Sequence, residues 1–244
     1  MTPGPSRRRR APVVAALLLL ASTTAADLSA QDSVVTRRAS DARIKGAADA
    51  AVTVFELADF ECPFCKRFAE SVFAQLDSAY IATGKVRWIY VNYPLPNHER
   101  AWIAAEAAMC VGGAGGDFWR AHDEFFLRQD AWTRAADAAA AFADIAREAG
   151  ADEAEWRRCV AEDLVAPVLV QDLLSAAQTG ASGTPAFVID QRELFVGVRP
   201  FEEWVPVLDA ALERAASEGE AGEGAEDGSD GEEGADADGG GPAG

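Results

Sequence analysis

The chain has 244 residues and a formal net charge of −18, and is 49% hydrophobic and 25% charged. That composition supports one folded domain with tails and excludes wholesale disorder. The acidity excludes a generic nucleic-acid binder, which needs a basic surface to neutralise phosphates.

Arg7–Arg10 are four consecutive cations, followed by a short apolar run from Ala11 to Ala21 and the small residues Ser22–Ala26. A cationic start, an apolar stretch and small residues form the pattern of a secretory signal. We expect this signal over 1–30, with cleavage after Ala26 or Ala30. The apolar run is shorter than the ~20 residues that span a bilayer; an uncleaved anchor is the alternative. Export would carry the cysteines into a compartment where disulfides persist.

Residues 31–50 are polar and read as a loosely held lead-in. Ala51–Ala58 is a near-continuous apolar run of β-formers, suited to a strand buried on both faces. Residues 63–83 predict a helix, with Phe64, Phe68, Val72, Leu76 and Ala79 at helical spacing and Gly84 just past its end. Val86–Asn92 is a second strand, which completes a β-α-β unit. From Glu99 to about Ala177 the pattern is helical. It includes a small-residue face at Ala101, Ala104, Ala105 and Ala108 and an aromatic stripe at Phe118, Trp119, His122, Phe125 and Phe126. Gly112–Gly116 lacks the lysine and hydroxyl of a phosphate loop and reads as a helix connector. Ala186–Asp190 and Glu193–Val196 are strands joined by a turn at Gln191 and Arg192. Pro200 opens a last amphipathic helix to about Ala215. Residues 217–244 hold ten acids, no base and no aromatic. Such a segment cannot bury enough apolar surface to offset its ordering entropy, and we expect a disordered acidic tail.

The expected organisation is therefore a first α/β half over 51–97, a helical insertion over 98–178 and a second half over 179–216. No repeat of solenoid or propeller period is present.

Four cysteines carry the chemistry: Cys62, Cys65, Cys110 and Cys159. Cys62-Pro-Phe-Cys65 falls where the first strand turns into the first helix. A spacing of three puts both sulfurs on one face of the opening turn, within disulfide reach. Unpaired N–H groups at the helix start favour a thiolate on Cys62, with Lys66 and Arg67 expected to add positive charge. A lowered thiol pKa makes Cys62 both the attacking and the leaving sulfur, and Cys65 the resolving one. The rival reading is a zinc site completed by Cys110 and Cys159. No metal and no organic cofactor is required for thiol exchange. His98 and His122 read as packing or capping residues. Two histidines and no Gly-x-Ser-x-Gly elbow argue against a serine hydrolase.

Cys62-Pro-Phe-Cys65, preceded by Glu56, and the later Gly183-Thr-Pro-Ala-Phe-Val-Ile-Asp190 together resemble the DsbA-like branch of the thioredoxin superfamily. The resemblance spans roughly Asp41 to Ala215. It implies a thioredoxin fold, β-α-β and β-β-α halves around an inserted helical domain. It also implies a cis proline at Pro185 beside the redox pair, and Thr184, Pro63 and Phe64 as substrate-binding positions. Glu56 occupies the place of a buried acid that exchanges protons with Cys65; a partly solvated or ion-paired glutamate is the alternative. Phe64 stands in the tunable dipeptide and carries no charge to favour the thiolate. Exported relatives carry a second bridge in the helical block, which implies a structural Cys110–Cys159 disulfide; two free thiols or an auxiliary redox relay compete with it. The implied activity is that of an exported, monomeric protein-disulfide oxidoreductase acting on cysteine-containing exported proteins. The implied partner is a membrane quinone-linked thiol oxidase. A reductase or isomerase, and a peptide-binding chaperone with an incidental thiol pair, are the rival functions.

Overall fold

The computed structural model describes residues 30–226, with side chains through 219. The expected signal segment, apart from residue 30, and the acidic tail beyond 226 lie outside the described residues.

Two apolar segments build the centre of a five-stranded sheet. β2 (Val52–Ala58) and β3 (Val86–Asn92) pair in parallel, from Val52 opposite Val86 to Ala58 opposite Asn92. β1 (Ile44–Lys45) adds antiparallel to β3, β4 (Ala186–Ile189) antiparallel to β2, and β5 (Glu193–Val196) antiparallel to β4. The order is β1-β3-β2-β4-β5. The hairpin turn is centred on Asp190 and Gln191, whose φ angles are 49° and 57°, not on Gln191 and Arg192 as expected. Two positive φ values match the twist that a tight antiparallel hairpin needs. The Asp190 carboxylate also accepts from the Thr53 N–H at 3.0 Å, which pins the turn to β2.

Helix α2 follows β2 over residues 63–81. It is α-helical at Pro63–Phe68 and Ala74–Leu76 and π-wound at Ala69–Phe73 and Asp77–Ile81. Pro63 lies in its first turn, where a missing N–H costs nothing. On this face of the sheet Phe68, Phe73, Trp88 and Phe187 pack with Trp204 and Leu208 of the last helix, α9 (Phe201–Glu226). The opposite face is narrower, with Leu57, Val91 and Ala186 against Ala176 of helix α8 (Ala166–Gln178).

Between β3 and β4 the insertion comprises α3 (Ala101–Gly113), α4 (Phe118–Leu127), α5 (Gln129–Arg134), α6 (Ala139–Glu148), α7 (Glu153–Ala161) and α8. Asp117 and Asp152 cap α4 and α7 by accepting backbone N–H groups. The predicted aromatic stripe on α4 is the centre of a second core; Phe60, from the loop ahead of Cys62, enters it 5.1 Å from both Phe125 and Phe126. Cys110 of α3 and Cys159 of α7 are bonded to each other, with Cα atoms 5.7 Å apart and both residues fully buried.

Three expectations need correction. Residues 31–50 are not a loose lead-in: 30–42 is a helix, α1, with Val35 and Ala39 fully buried. A polar exposed face hid the apolar contact in the sequence. Gly112 and Gly113 belong to α3 and do not connect helices. A Cβ on them would meet Ala42 at 2.5 Å and Val35 at 2.8 Å, so their bareness lets α1 seat against α3. The last helix does not stop near Ala215 but continues to Glu226, through the first ten residues assigned to the tail. Among the described residues, no helix is long and apolar enough to cross a membrane.

Candidate active site

Cys62 is the N-cap of α2, with extended backbone angles (φ −73°, ψ 123°). Cys65 lies one turn on, fully buried, and both thiols are unbridged. The Cys62 thiol donates to the Thr184 carbonyl at 3.4 Å. The Thr184–Pro185 bond is cis, and the Cys62–Thr184 contact sets the loop before β4 against the opening turn of α2. Glu56, Cys62, Cys65, Thr184 and Pro185 all fall in the buried interior around this junction, whereas Pro63 and Phe64 face outward. Phe64 is 51% exposed, with the Arg67 guanidinium 5.3 Å from its ring centre.

The two thiols are driven apart in acidity. Cys62 is lowered to about 6, chiefly by the hydrogen bond from the Cys65 thiol, with further help from the Cys65 and Phe64 N–H groups. Those N–H groups are the unpaired donors of a helix start. Cys65 is pushed well above the ordinary thiol range by burial, and further by the charge of its partner. Lys66 and Arg67 do not contribute as expected. Lys66 Nζ is held by Asp130 at 2.9 Å and lies 3.9 Å from Glu70, and Arg67 rests on Phe64.

Behind Cys65, Glu56 is fully buried and raised to about 8 by desolvation, which outweighs its hydrogen bond from Trp88. Its other oxygen, Oε1, is buried without a partner, as is the hydroxyl of Tyr90, the residue opposite Glu56 in the β2–β3 register.

Several residues that hold this site were missed by sequence reasoning. The Asp59 carboxylate accepts from Glu61 N, Leu95 N and His98 Nδ1, and the Asp59 N–H points at Cys65 Sγ at 3.5 Å. Glu61 accepts the Arg100 N–H that opens α3. Gln129 reaches from α5 to the backbone of Phe60 and Cys62. The contacts to Leu95, His98, Arg100 and Gln129 cross between 36 and 69 residues, so no local spacing announces them. His122 lies among Phe60, Tyr90, Phe118 and Phe126 and is held below the ordinary histidine range by burial. Because Cys110 and Cys159 bond to each other, they do not join Cys62 and Cys65 in a four-sulfur zinc site. Among the described residues, no group of three or more His, Cys, Asp or Glu side chains is arranged to hold a metal ion.

The sheet order, the helices between β3 and β4, and a thiol pair at the β2–α2 junction facing a cis proline define the class. It is the thioredoxin fold with a helical insertion, as in DsbA proteins. The chain belongs to the thioredoxin family, whose profile, described as Thioredoxin, matches residues 39–210. The crystal structure of Wolbachia pipientis alpha-DsbA1 superimposes with a TM-score of 0.61 at 21% identity, covering 72% of this chain and 93% of that one. A putative protein-disulfide oxidoreductase of Rickettsia conorii is 23% identical over 168 residues, 68% of this chain and 57% of the relative. The Na(+)/H(+) antiporter NhaA 3 of Salinispora tropica is 35% identical over 150 residues, 61% of this chain and 22% of the antiporter. The match thus spans about a fifth of the antiporter's length and just over half of the Rickettsia relative's.

Proposed function

We propose that this protein is an exported thiol–disulfide oxidoreductase that introduces disulfides into cysteine-containing proteins. The observation that carries the reading is the split between the two sulfurs. Cys62, at the helix start, is lowered to about 6, while Cys65, one turn deeper, is raised. A low-pKa outer thiol is a good leaving group and makes its disulfide an oxidant, because the reduced form is stabilised.

In the oxidising direction the Cys62–Cys65 bond is formed first. A substrate thiolate attacks Cys62 Sγ; the new sulfur–sulfur bond forms as Cys65 departs with the electron pair. Cys65, whose thiol form is favoured by burial, takes up a proton, and the neutral Glu56 carboxyl behind it is the nearby donor. A second substrate thiolate then attacks the substrate sulfur of the mixed disulfide. Cys62 leaves as a thiolate, the substrate has lost two electrons and the enzyme has gained them. An extended substrate segment lies along the Thr184 backbone beside Pro185, with Pro63 and Phe64 at its outer rim. The Cys110–Cys159 bridge is structural and takes no part in the exchange. A membrane quinone-linked thiol oxidase returns the electrons to the membrane, and the enzyme works as a monomer. The name of the Rickettsia relative supports the reaction class. The cationic and apolar start of the chain supports export.

The test is the reduction potential of the Cys62–Cys65 pair in glutathione buffers. A value well above that of cytosolic thioredoxin, about −270 mV, is expected. A value near it assigns a reductase instead. Cys62→Ser abolishes exchange if the reading holds; a chaperone with an incidental thiol pair keeps its activity in that variant.

A further inference from the structure

Gln129 opens α5, in the helical insertion, and is only 4% exposed. Its Nε2 donates to the Phe60 carbonyl at 2.7 Å and to the Cys62 carbonyl at 3.0 Å. Both hydrogens of one buried amide are therefore spent on the backbone flanking Glu61, immediately before the first turn of α2. The Cys62 carbonyl also accepts the Lys66 N–H at 3.1 Å, the first hydrogen bond of that helix.

We infer that Gln129 is a positioning residue for the Cys62 nucleophile: it fixes the peptide planes that begin at Phe60 and at Cys62, and so sets how Cys62 Sγ faces the open N–H groups of the helix start. This inference rests on the thiol-exchange reading above. Mere anchorage of the loop is already supplied elsewhere. Phe60 is fully buried and stacks 5.0 Å from Tyr90, and the Asp59 carboxylate is held by three donors. A hydrophobic plug holds a loop in place but leaves its peptide groups free to rotate. Two hydrogen bonds to carbonyls two residues apart remove that rotation. The orientation matters because a cap is directional: N–H groups stabilise an anion only when they point at it. The neighbouring residue reinforces the same contact, since Asp130 takes the Lys66 ammonium at 2.9 Å. The insertion thus reaches the active-site helix through two successive side chains of α5.

The experiment uses the full chain with Gln129→Met, which keeps the length and removes both donors, and Gln129→Asn, which keeps both amide donors on an arm one methylene shorter. Ultraviolet thiolate absorbance gives the Cys62 titration midpoint, and exchange with a small disulfide reagent is followed across pH. For Gln129→Met the midpoint is expected to rise by about one unit. That cuts the rate about tenfold below the midpoint while leaving the rate in alkali, where the thiol is ionised in any case, near wild type. Gln129→Asn is expected to fall between the two, and in both variants the pair becomes less oxidising. A wild-type midpoint overturns the inference, as does a rate that falls equally at every pH, the mark of a merely structural side chain. If Gln129→Met does not fold, the midpoint of Gln129→Asn decides by the same criterion. Wild-type protein inert towards disulfides would instead overturn the thiol-exchange reading itself.

Discussion

The indole Nε1–H of Trp88 on β3 donates to Glu56 Oε2 on β2 at 2.8 Å. It is the one partner of a carboxyl otherwise enclosed by the aromatic interior behind Cys65. A single neutral donor does not offset full desolvation, so the acid keeps its proton at neutral pH.

Glu56→Gln is therefore expected to stabilise the fold in a pH-dependent way. The folded-state pKa, about 8, lies above the ordinary 4.5, so the unfolded chain ionises first as pH rises. Relative to the neutral variant, wild type loses stability between pH 4.5 and 8, and none below that window. At pH 7 the difference reaches about 3 kcal/mol by the same linkage. Denaturant unfolding at pH 4 and pH 7 checks it. The same variant should slow the opening of the Cys62–Cys65 bond by a substrate thiolate, because the proton donor to the departing Cys65 is gone.

Cys62 has the opposite sign. Its folded pKa, about 6, lies below the ordinary 9.0, so the dithiol protein gains stability as pH rises from 6 to 9 and loses it as pH falls through 6. Alkylation at pH 7 should label Cys62 alone and leave the buried Cys65 intact. A titration midpoint near the ordinary thiol value, or equal labelling of both, would contradict the assignment of roles.

Lys66→Ala should leave the Cys62 midpoint where it is. The ammonium is already neutralised by Asp130, and because that carboxylate is exposed the pair contributes little to stability. Thiolate absorbance and a denaturation curve on one preparation test both statements. A clear rise of the midpoint would restore Lys66 as an electrostatic activator.

Replacing both Cys110 and Cys159 by alanine should cost up to about 4 kcal/mol, since the bridge closes a loop across 49 residues. Thiol exchange at Cys62 should survive at temperatures where the variant is folded. Thermal unfolding together with an exchange assay separates the two effects.

The central strands, the α2 start and the paired thiols were legible because each is encoded locally, by apolar runs, a proline at the first turn and a spacing of three. The contact of Cys62 with Thr184 spans 122 residues, and that of Gln129 with Cys62 spans 67. A lone glutamine in a polar stretch carries no signal of the carbonyls it will meet. Lys66 misled for the same reason: its charge was visible, but Asp130, 64 residues away, was not. Helix α1 was hidden because most of its residues face water; what docks it is the absence of side chains at Gly112 and Gly113 on another helix.

The buried Cys110–Cys159 bridge makes each newly synthesised copy a client of the chemistry proposed for it. Its own two thiols are shut off from partners once the insertion closes over them, and a mature copy presents the kind of oxidant suited to joining them before that. Synthesis in a reducing extract should therefore yield copies whose insertion lacks its lock, and seeding an oxidising mixture with finished protein should hasten later molecules to completion.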